Sequence, residues 1–293
     1  MIQLDPGRIA ELCQIAIRVR VHVLRSVHKA QGGHIGGPLS AVELLTSLYF
    51  HTLRLDPKNP TWEDRDRFIL SKGHSAIALY AVMAERGFFP VEELSTFDEI
   101  NSRMQAHPDM TVTPGIDIST GSLGQGLSAG IGMALGARLR KKDFRIYVMI
   151  GDGESQEGQI WEAASVASRY KLDNLTVILD YNKVQQYGWQ YPIRMLPIEA
   201  PAIKFQAFGW FAMEIDGHNF EAIIGALEEA KTIIGRPTII IAHTVKGKGV
   251  SFMEDRYQWH ARVPTDKELE LAIAELNKPA NEELIHGHLE DIK

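Results

Sequence analysis

Apolar residues recur at helical spacing across residues 7–30 (Ile9, Leu12, Cys13, Ala16, Val19, Val23 and Val27), with basic residues on the other side. One amphipathic helix is expected there. The glycine loop 31–38 follows, and a helix capped by Ser40 is expected to run through Leu48. Residues 67–71 read as a short strand that delivers Lys72-Gly73-His74-Ser75 to the next helix start. A further helix follows residues 120–126, and its later glycines, Gly126, Gly130, Gly132 and Gly136, point to close helix packing. The apolar, β-branched run 145–150 stops at Gly151-Asp152-Gly153, a helical pattern covers 157–170, and a second buried-strand run, 175–179, ends at Asp180-Tyr181-Asn182. Beyond it come an irregular stretch (185–201), a strand region (205–215), a helix (220–234) and a buried strand (237–245) ending in Lys246-Gly247-Lys248-Gly249. A charged helix (265–277) and a polar tail expected to fray complete the chain.

Residues 145–182 thus form a βαβ unit, and the fold class is α/β. Such crossovers are right-handed and make successive strands parallel, so Asp152 and Asn182 both fall at carboxyl ends of strands, where open α/β sheets bind ligands. Their side-chain oxygens and the backbone carbonyl of Val184 make a half-shell of hard donors. Mg²⁺ or Ca²⁺ accepts such a set, and Mg²⁺ completes its shell with phosphate oxygens and water, so the site predicts a diphosphate. Gly151 and Gly153 let the turn approach that ligand, and the helix start beyond offers free N–H groups to an anion.

With 293 residues, one large α/β domain or two small ones are possible. A net charge of −6 argues against a nucleic-acid or anionic-membrane partner. Cys13 is the single cysteine, which excludes an intramolecular disulfide framework and fits a reducing, cytoplasmic setting. Early charges at Asp5, Glu11, Arg18 and Arg20 do not read as a signal peptide, and no stretch reads as a membrane span.

The stretch around Gly151-Asp152-Gly153 and Asn182 resembles the thiamine diphosphate motif, and its interior GDGExxEGxxWEA resembles the transketolase version. The resemblance spans about residues 10–265. It implies a three-layer α/β/α fold with a mainly parallel sheet, a thiamine diphosphate- and Mg²⁺-binding domain over 1–265, and an appended helix and tail over 266–293. By the same resemblance Asp152, Asn182 and the carbonyl of Val184 hold Mg²⁺ (Ca²⁺ or Mn²⁺ being other hard ions) on the cofactor diphosphate. Glu157 stands near a subunit boundary in a carboxylate network, although a first-turn Glu favoured by the helix dipole reads the same way. Lys72, Gly153 and Glu154 flank the cofactor. Gly121, Ser122, Leu123 and Gly124 resemble the GPLGQG stretch that touches it, with Ser122 replacing the usual Pro. His243, near the end of a strand, is placed within reach of the diphosphate, or is a core histidine satisfied by the backbone.

Four histidines lie in loops: His34 and His74 in glycine turns ahead of helices, His107 before Pro108, and His260 in Trp259-His260. They resemble the transketolase histidines that line the substrate channel. SKGHSAIALYA is a close match, GGHIGGPLS is similar to the form in split bacterial enzymes, and Ala261-Arg262 departs from the expected Gly-Lys. Their implied roles are to orient donor hydroxyls and shuttle protons during transfer of a two-carbon ketol unit between sugar phosphates. The glutamate that assists the cofactor belongs, by resemblance, to a pyrimidine-binding domain absent from this sequence. A separate C-terminal transketolase subunit, in an α2β2 heterotetramer, is therefore expected. Alternatives are a thiamine enzyme subunit for an α-keto acid or an unusual branched sugar phosphate, and a non-catalytic binding module. A nucleotide-binding Rossmann protein fits less well, because GDG rather than GxGxxG follows the strand.

Overall fold

Alternate residues along each central strand feed two separate cores, as a sheet covered on both faces requires. The computed structural model describes residues 4–186 and 196–278. Its single sheet holds β1 (Arg67–Leu70), β2 (Ile146–Gly151), β3 (Leu175–Tyr181), β4 (Phe211–Asp216) and β5 (Thr238–His243), all parallel in the order β1-β2-β3-β5-β4. On one face Leu70, Tyr147, Met149, Ile178 and Ile240 share a core with α1 (Pro6–Ala30), α3 (Val42–Ser47), α4 (Ala76–Arg86), α8 (Phe220–Thr232) and α9 (Asp266–Leu276). On the other, Ile69, Val148, Ile150, Leu179 and Ile241 meet α5 (Gln125–Leu139), α6 (Gly158–Arg169) and α7 (Pro201–Ala207). This is a three-layer α/β/α fold with a parallel sheet. Among the described residues, no helix is long and apolar enough to cross a membrane.

Local chemistry explains most boundaries. Asp5 caps α1 by accepting from the Arg8 amide at 3.2 Å, and Pro6 occupies the first turn, where a missing N–H costs nothing. A capping box between Thr265 and Glu268 starts α9, which seats Ala272 and Leu276 in the α1-side core. Two expectations need correction. Ser40 does not cap a helix: it ends α2 (Gly36–Ser40) and its hydroxyl donates to Asp180 at 2.6 Å. The strand region expected over 205–215 begins only at Phe211, because Pro201 opens α7, and Phe205 packs from that helix beside Trp210. Residues 187–195 of the expected irregular stretch and the tail 279–293 lie outside the described residues.

The glycines of α5 divide by face. A Cβ at Gly126 would stand 2.5 Å from the Ser71 hydroxyl, and one at Gly130 2.6 Å from Val148, so both are demanded by close approach to the sheet. Gly132 and Gly136 face open space, so the packing reading holds for the first two and not for the last two. In the isolated chain, Gly130→Ala should therefore destabilise by about 1–3 kcal/mol, and Gly132→Ala should stabilise by up to about 1 kcal/mol through helix propensity. Urea unfolding of the two variants checks the opposite signs.

Candidate active site

The carboxyl ends of β1, β2 and β3, with the loop after β5, converge on one cavity of about 670 Å³. Asp152 leaves β2 buried. Its carboxylate accepts from the amides of Gly153 (2.7 Å) and Lys183 (2.5 Å), which ties the β2 turn to the β3 turn. Lys183 adopts left-handed backbone (φ 64), a conformation that costs a non-glycine residue roughly 1 kcal/mol. Its N–H donates to Asp152, and Val184, whose carbonyl accepts from Lys246, follows in the cavity lining beside Asn182. The Asn182 side-chain oxygen accepts from Val184 N–H at 3.1 Å, and its amide donates to Ser40 at 3.3 Å, so its orientation is fixed.

Beneath these groups lies a charge cluster that was not foreseen. Asp180, fully buried on β3, accepts from Lys72, Ser40 and Thr244. Lys72 also donates to the Gly37 carbonyl at 3.1 Å and still lines the cavity. Burial pushes the Asp180 carboxyl up, but the Lys72 ammonium and the hydroxyl donors outweigh it and hold it below its usual range. Asp152 has no hydrogen-bonded cation, and Lys246 only partly offsets its burial. Burial, then repulsion from Asp180, raises it to about 6. Glu154 is a brace: it accepts from Ser71 (2.5 Å), Gly124 N–H (2.9 Å) and Gly151 N–H (3.0 Å), joining β1, β2 and the loop before α5. Burial raises its pKa despite those donors.

Lys246 is the second unforeseen residue. It follows β5, lines the cavity, and donates to the Val184 carbonyl (2.9 Å) and to Nδ1 of His260 (2.8 Å). Burial lowers it to about 8, opposed by Asp152, so it stays mostly charged at neutral pH. Its position after a strand at the ligand-binding edge was the available signal. His243 sits on the opposite sheet face with Tyr181, by the alternation of β5. Its Nε2 pairs with Glu214 at 2.7 Å, and it does not line the cavity.

The four loop histidines do meet. Ring centroids of His34 and His74 are 5.0 Å apart, those of His34 and His260 5.0 Å, and those of His34 and His107 6.4 Å. The loops are laced together: Ile35 N–H donates to the His260 carbonyl at 3.1 Å, Gly247 N–H to the Gly36 carbonyl at 3.0 Å, and the Tyr80 hydroxyl to the His107 carbonyl at 3.1 Å. A Cβ on Gly36 would collide with Lys246 and the Trp259 carbonyl at 2.9 Å, and one on Gly73 with the Gly121 amide at 2.8 Å. Burial first, then neighbouring cations and rings, lowers His34 to about 4 and His260 to about 3, and lowers His74 strongly. These three imidazoles are neutral at pH 7. Because His260 Nδ1 accepts from Lys246, its own proton is on Nε2.

Of the other expected positions, Gly121, Leu123, Gly153, Glu154 and Glu157 line the cavity, whereas Ser122 and Gly124 do not. Gly124 acts one step back, through its amide to Glu154 and a left-handed φ of 85°. Glu157 is exposed at the α6 start, with its Cβ packed over Gly124. Gln156, Gln185 and Gln186 also line the cavity and were not singled out.

Donor chemistry fits a divalent ion carrying a diphosphate. Among the described residues no group of three His, Cys, Asp or Glu side chains could cage a metal, so an ion here needs oxygens from a ligand. A buried carboxylate raised by a like charge would be relieved by such an ion, and Lys72 and Lys246 stand beside it to receive anionic oxygens.

Residues 12–279 match the family model described as transketolase, thiamine diphosphate binding domain. The 6-deoxy-6-sulfo-D-fructose transketolase subunit SqwG of Clostridium sp. (strain MSTE9) is 46% identical over 260 residues, 89% of this chain and 94% of that protein. An apulose-4-phosphate transketolase subunit of Phocaeicola vulgatus is 42% identical, covering 88% of this chain and 91% of the relative. In three dimensions the chain is similar to the transketolase of Campylobacter jejuni subsp. jejuni NCTC 11168, with a TM-score of 0.83 and 31% identity, over 93% of this chain and 43% of that one.

The histidine cluster sets an acid limit on the cofactor-free chain. With folded pKa values below the unfolded 6.5, the stability gained by keeping His34 and His260 neutral is complete above pH 6.5 and is lost as pH falls toward 4 and 3. Each ring contributes at most about 1.4 kcal/mol per pH unit, less where solvent screens it. Urea titrations across pH 7 to 4 should show this slope, flattened in a His34→Asn, His260→Asn double variant.

Proposed function

The chain belongs to the transketolase family, as its thiamine diphosphate-binding domain, and from that premise we propose that it is the N-terminal subunit of a split transketolase. The assembled enzyme moves a two-carbon ketol unit from a ketose phosphate to an aldose phosphate. The observation that carries this reading is the meeting, in one cavity, of four histidines with Asp152, Asn182 and the Val184 carbonyl. When bound, thiamine diphosphate supplies the electron sink for cleaving a carbon–carbon bond beside a carbonyl.

Asp152, Asn182 and the Val184 carbonyl are the residues to hold Mg²⁺, with Ca²⁺ or Mn²⁺ as other hard ions. Lys72 and Lys246 neutralise diphosphate oxygens, and Gly121 and Leu123 border the cofactor. Neutral His34, His74 and His260 hold sugar hydroxyls by accepting from or donating to them, and exposed His107 closes the row from the rim. A neutral imidazole can take a proton and return it, which a charged one already spent cannot do. Residues 1–265 serve as the cofactor domain, and 266–293 as its appended helix and tail.

A partner subunit is part of the functional unit, in keeping with relatives that are themselves named as subunits. We place the pyrimidine-binding domain on that partner, in an α2β2 assembly in a reducing cytoplasm. Two features support an interface: the cavity is open on the side of His107, Glu157 and Gln186, and the outer face of α5 is apolar and uncovered. Gly132 and Gly136 face empty space there, and Leu139 is 86% exposed. That face begins beside the cavity lining, at Gly124 and Gln125.

The relatives' names also favour a second reading of the substrate, in which the sugar is an unusual phosphate or its sulfonated analogue. Ketol transfer from xylulose 5-phosphate to ribose 5-phosphate, assayed with thiamine diphosphate and Mg²⁺, should appear only when this chain is paired with its C-terminal partner. Full activity of the chain alone would overturn the split reading. Inactivity of the pair with the cofactor bound would move the search to other sugars. In the pair, His260→Ala should lower ketol transfer at least tenfold and leave Mg²⁺-dependent cofactor binding nearly intact. Gly132→Lys, tolerated by the free chain, should weaken association with the partner in analytical ultracentrifugation.

A further inference from the structure

Three titratable side chains outside the cavity are buried together and take no part in the chemistry described above. Arg20 and Glu43 are fully buried, and His218 is nearly so. The Arg20 guanidinium meets the Glu43 carboxylate at 2.6 and 2.8 Å through its two terminal nitrogens. The second Glu43 oxygen also faces Nδ1 of His218 at 2.9 Å. Burial pushes Glu43 up, but Arg20 and His218 together bring it down to about 2, so it is ionised at any working pH. A buried ionic group of this kind is weak evidence for stability, since well-packed apolar side chains would serve as well or better. A role in fixing geometry therefore has to be sought in what its outer ends hold.

Both outer ends hold the same loop. The His218 Nε2 accepts from the Val245 amide at 2.8 Å, which places that ring's proton on Nδ1, toward Glu43. At the other end, Arg20 Nε donates to the Lys248 carbonyl at 2.9 Å. Val245 and Lys248 flank Lys246, whose ammonium reaches Val184 and His260. We infer that Arg20, Glu43 and His218 form a buried clamp that pins the backbone on both sides of Lys246, and that they are positioning residues for diphosphate binding. The inference rests on the reading of Lys246 as a diphosphate ligand. The clamp itself spans α1, α3 and the turn before α8, so it couples helices of the first core to a loop at the edge of the sheet.

Two measurements separate the clamp from the function it serves. In the cofactor-free full chain, the acylation rate of Lys246 by an amine reagent, read by peptide mass spectrometry, should rise about fivefold or more in Glu43→Gln and in His218→Gln, while that of Lys72 stays unchanged. Equal rates in wild type and both variants would overturn the clamp, whatever the protein catalyses. His218→Gln releases one arm only and covers the case in which Glu43→Gln does not fold. In the reconstituted pair, calorimetric thiamine diphosphate affinity should fall about tenfold for His218→Gln when Lys246 is present, and less than about twofold in a Lys246→Met background. Equal losses in both backgrounds would mark His218 as a merely structural residue and reject the positioning role. A wild-type pair that binds no thiamine diphosphate would reject the diphosphate part and the functional reading, with the labelling result still deciding the clamp.

Discussion

The ion pair between Lys72 and Asp180, sealed under the carboxyl edge of the sheet, is the interaction on which the site is built. Both side chains are almost wholly inaccessible, and stripping two charges of water is costly unless each finds full compensation. Asp180 finds it in three donors drawn from the ends of three different segments: Lys72 after β1, Ser40 at the end of α2, and Thr244 after β5. A carboxylate that must collect donors from three places fixes those places relative to one another. Lys72 and Thr244 open the loops that carry His74 and Lys246, and Ser40 closes the helix that follows His34, so the geometry of the cavity follows from the desolvation of one aspartate.

The same burial explains what could be read from the chain and what could not. The βαβ unit over 146–181 was legible because apolar runs, a glycine turn and a helical stripe are local signals, and Asp152 and Asn182 follow from it by topology alone. His34 and His74 were legible because each follows a glycine ahead of a helix, and His107 because it precedes a proline, whereas His260 in Trp259-His260 was legible only by resemblance to the family. Asp180 was not legible, since a charged residue after the apolar run 175–179 looks like a strand end, whereas β3 continues to Tyr181; only the donors gathered around it reveal its place. His243 and Lys246 show the limit more sharply. His243 ends β5 and Lys246 lies three residues beyond it; strand parity puts His243 beside Tyr181 on the far face, and the turn after β5 brings Lys246 to the cavity. The expected Ser40 cap failed similarly. A serine ahead of an apolar run is a fair cap signal, but here its hydroxyl is claimed by Asp180.

Neutrality of the histidine row has a physical consequence for the chemistry. A thiazolium cofactor is itself cationic, and Lys72 and Lys246 already place two positive charges nearby. Four protonated imidazoles in the same cavity would repel the cofactor and one another. Burial removes that conflict at His34, His74 and His260, whose charged forms are disfavoured first by lost water and then by each other. What is left at those three rings is a set of donor–acceptor groups suited to a polyol. In the proposed reading, separation of a cationic, metal-holding end from a hydroxyl-holding end suits a ketol transfer between sugars.

That division also bears on substrate choice. Among the described residues, no arginine lines the cavity, and its two lysines are engaged, Lys72 by Asp180 and Lys246 by Val184 and His260. An anionic group at the far end of a sugar therefore meets, among the described residues, no free cation in the cavity lining. Arginine is the side chain best shaped for bidentate recognition of such a group. In the split-enzyme reading that recognition falls to the partner subunit. Relatives 46% and 42% identical to this chain are named for a sulfonated fructose and for a sugar phosphate. In that same reading, a chain that supplied metal, diphosphate and proton-handling groups and left the anionic terminus to its partner would serve either without change to its own cavity.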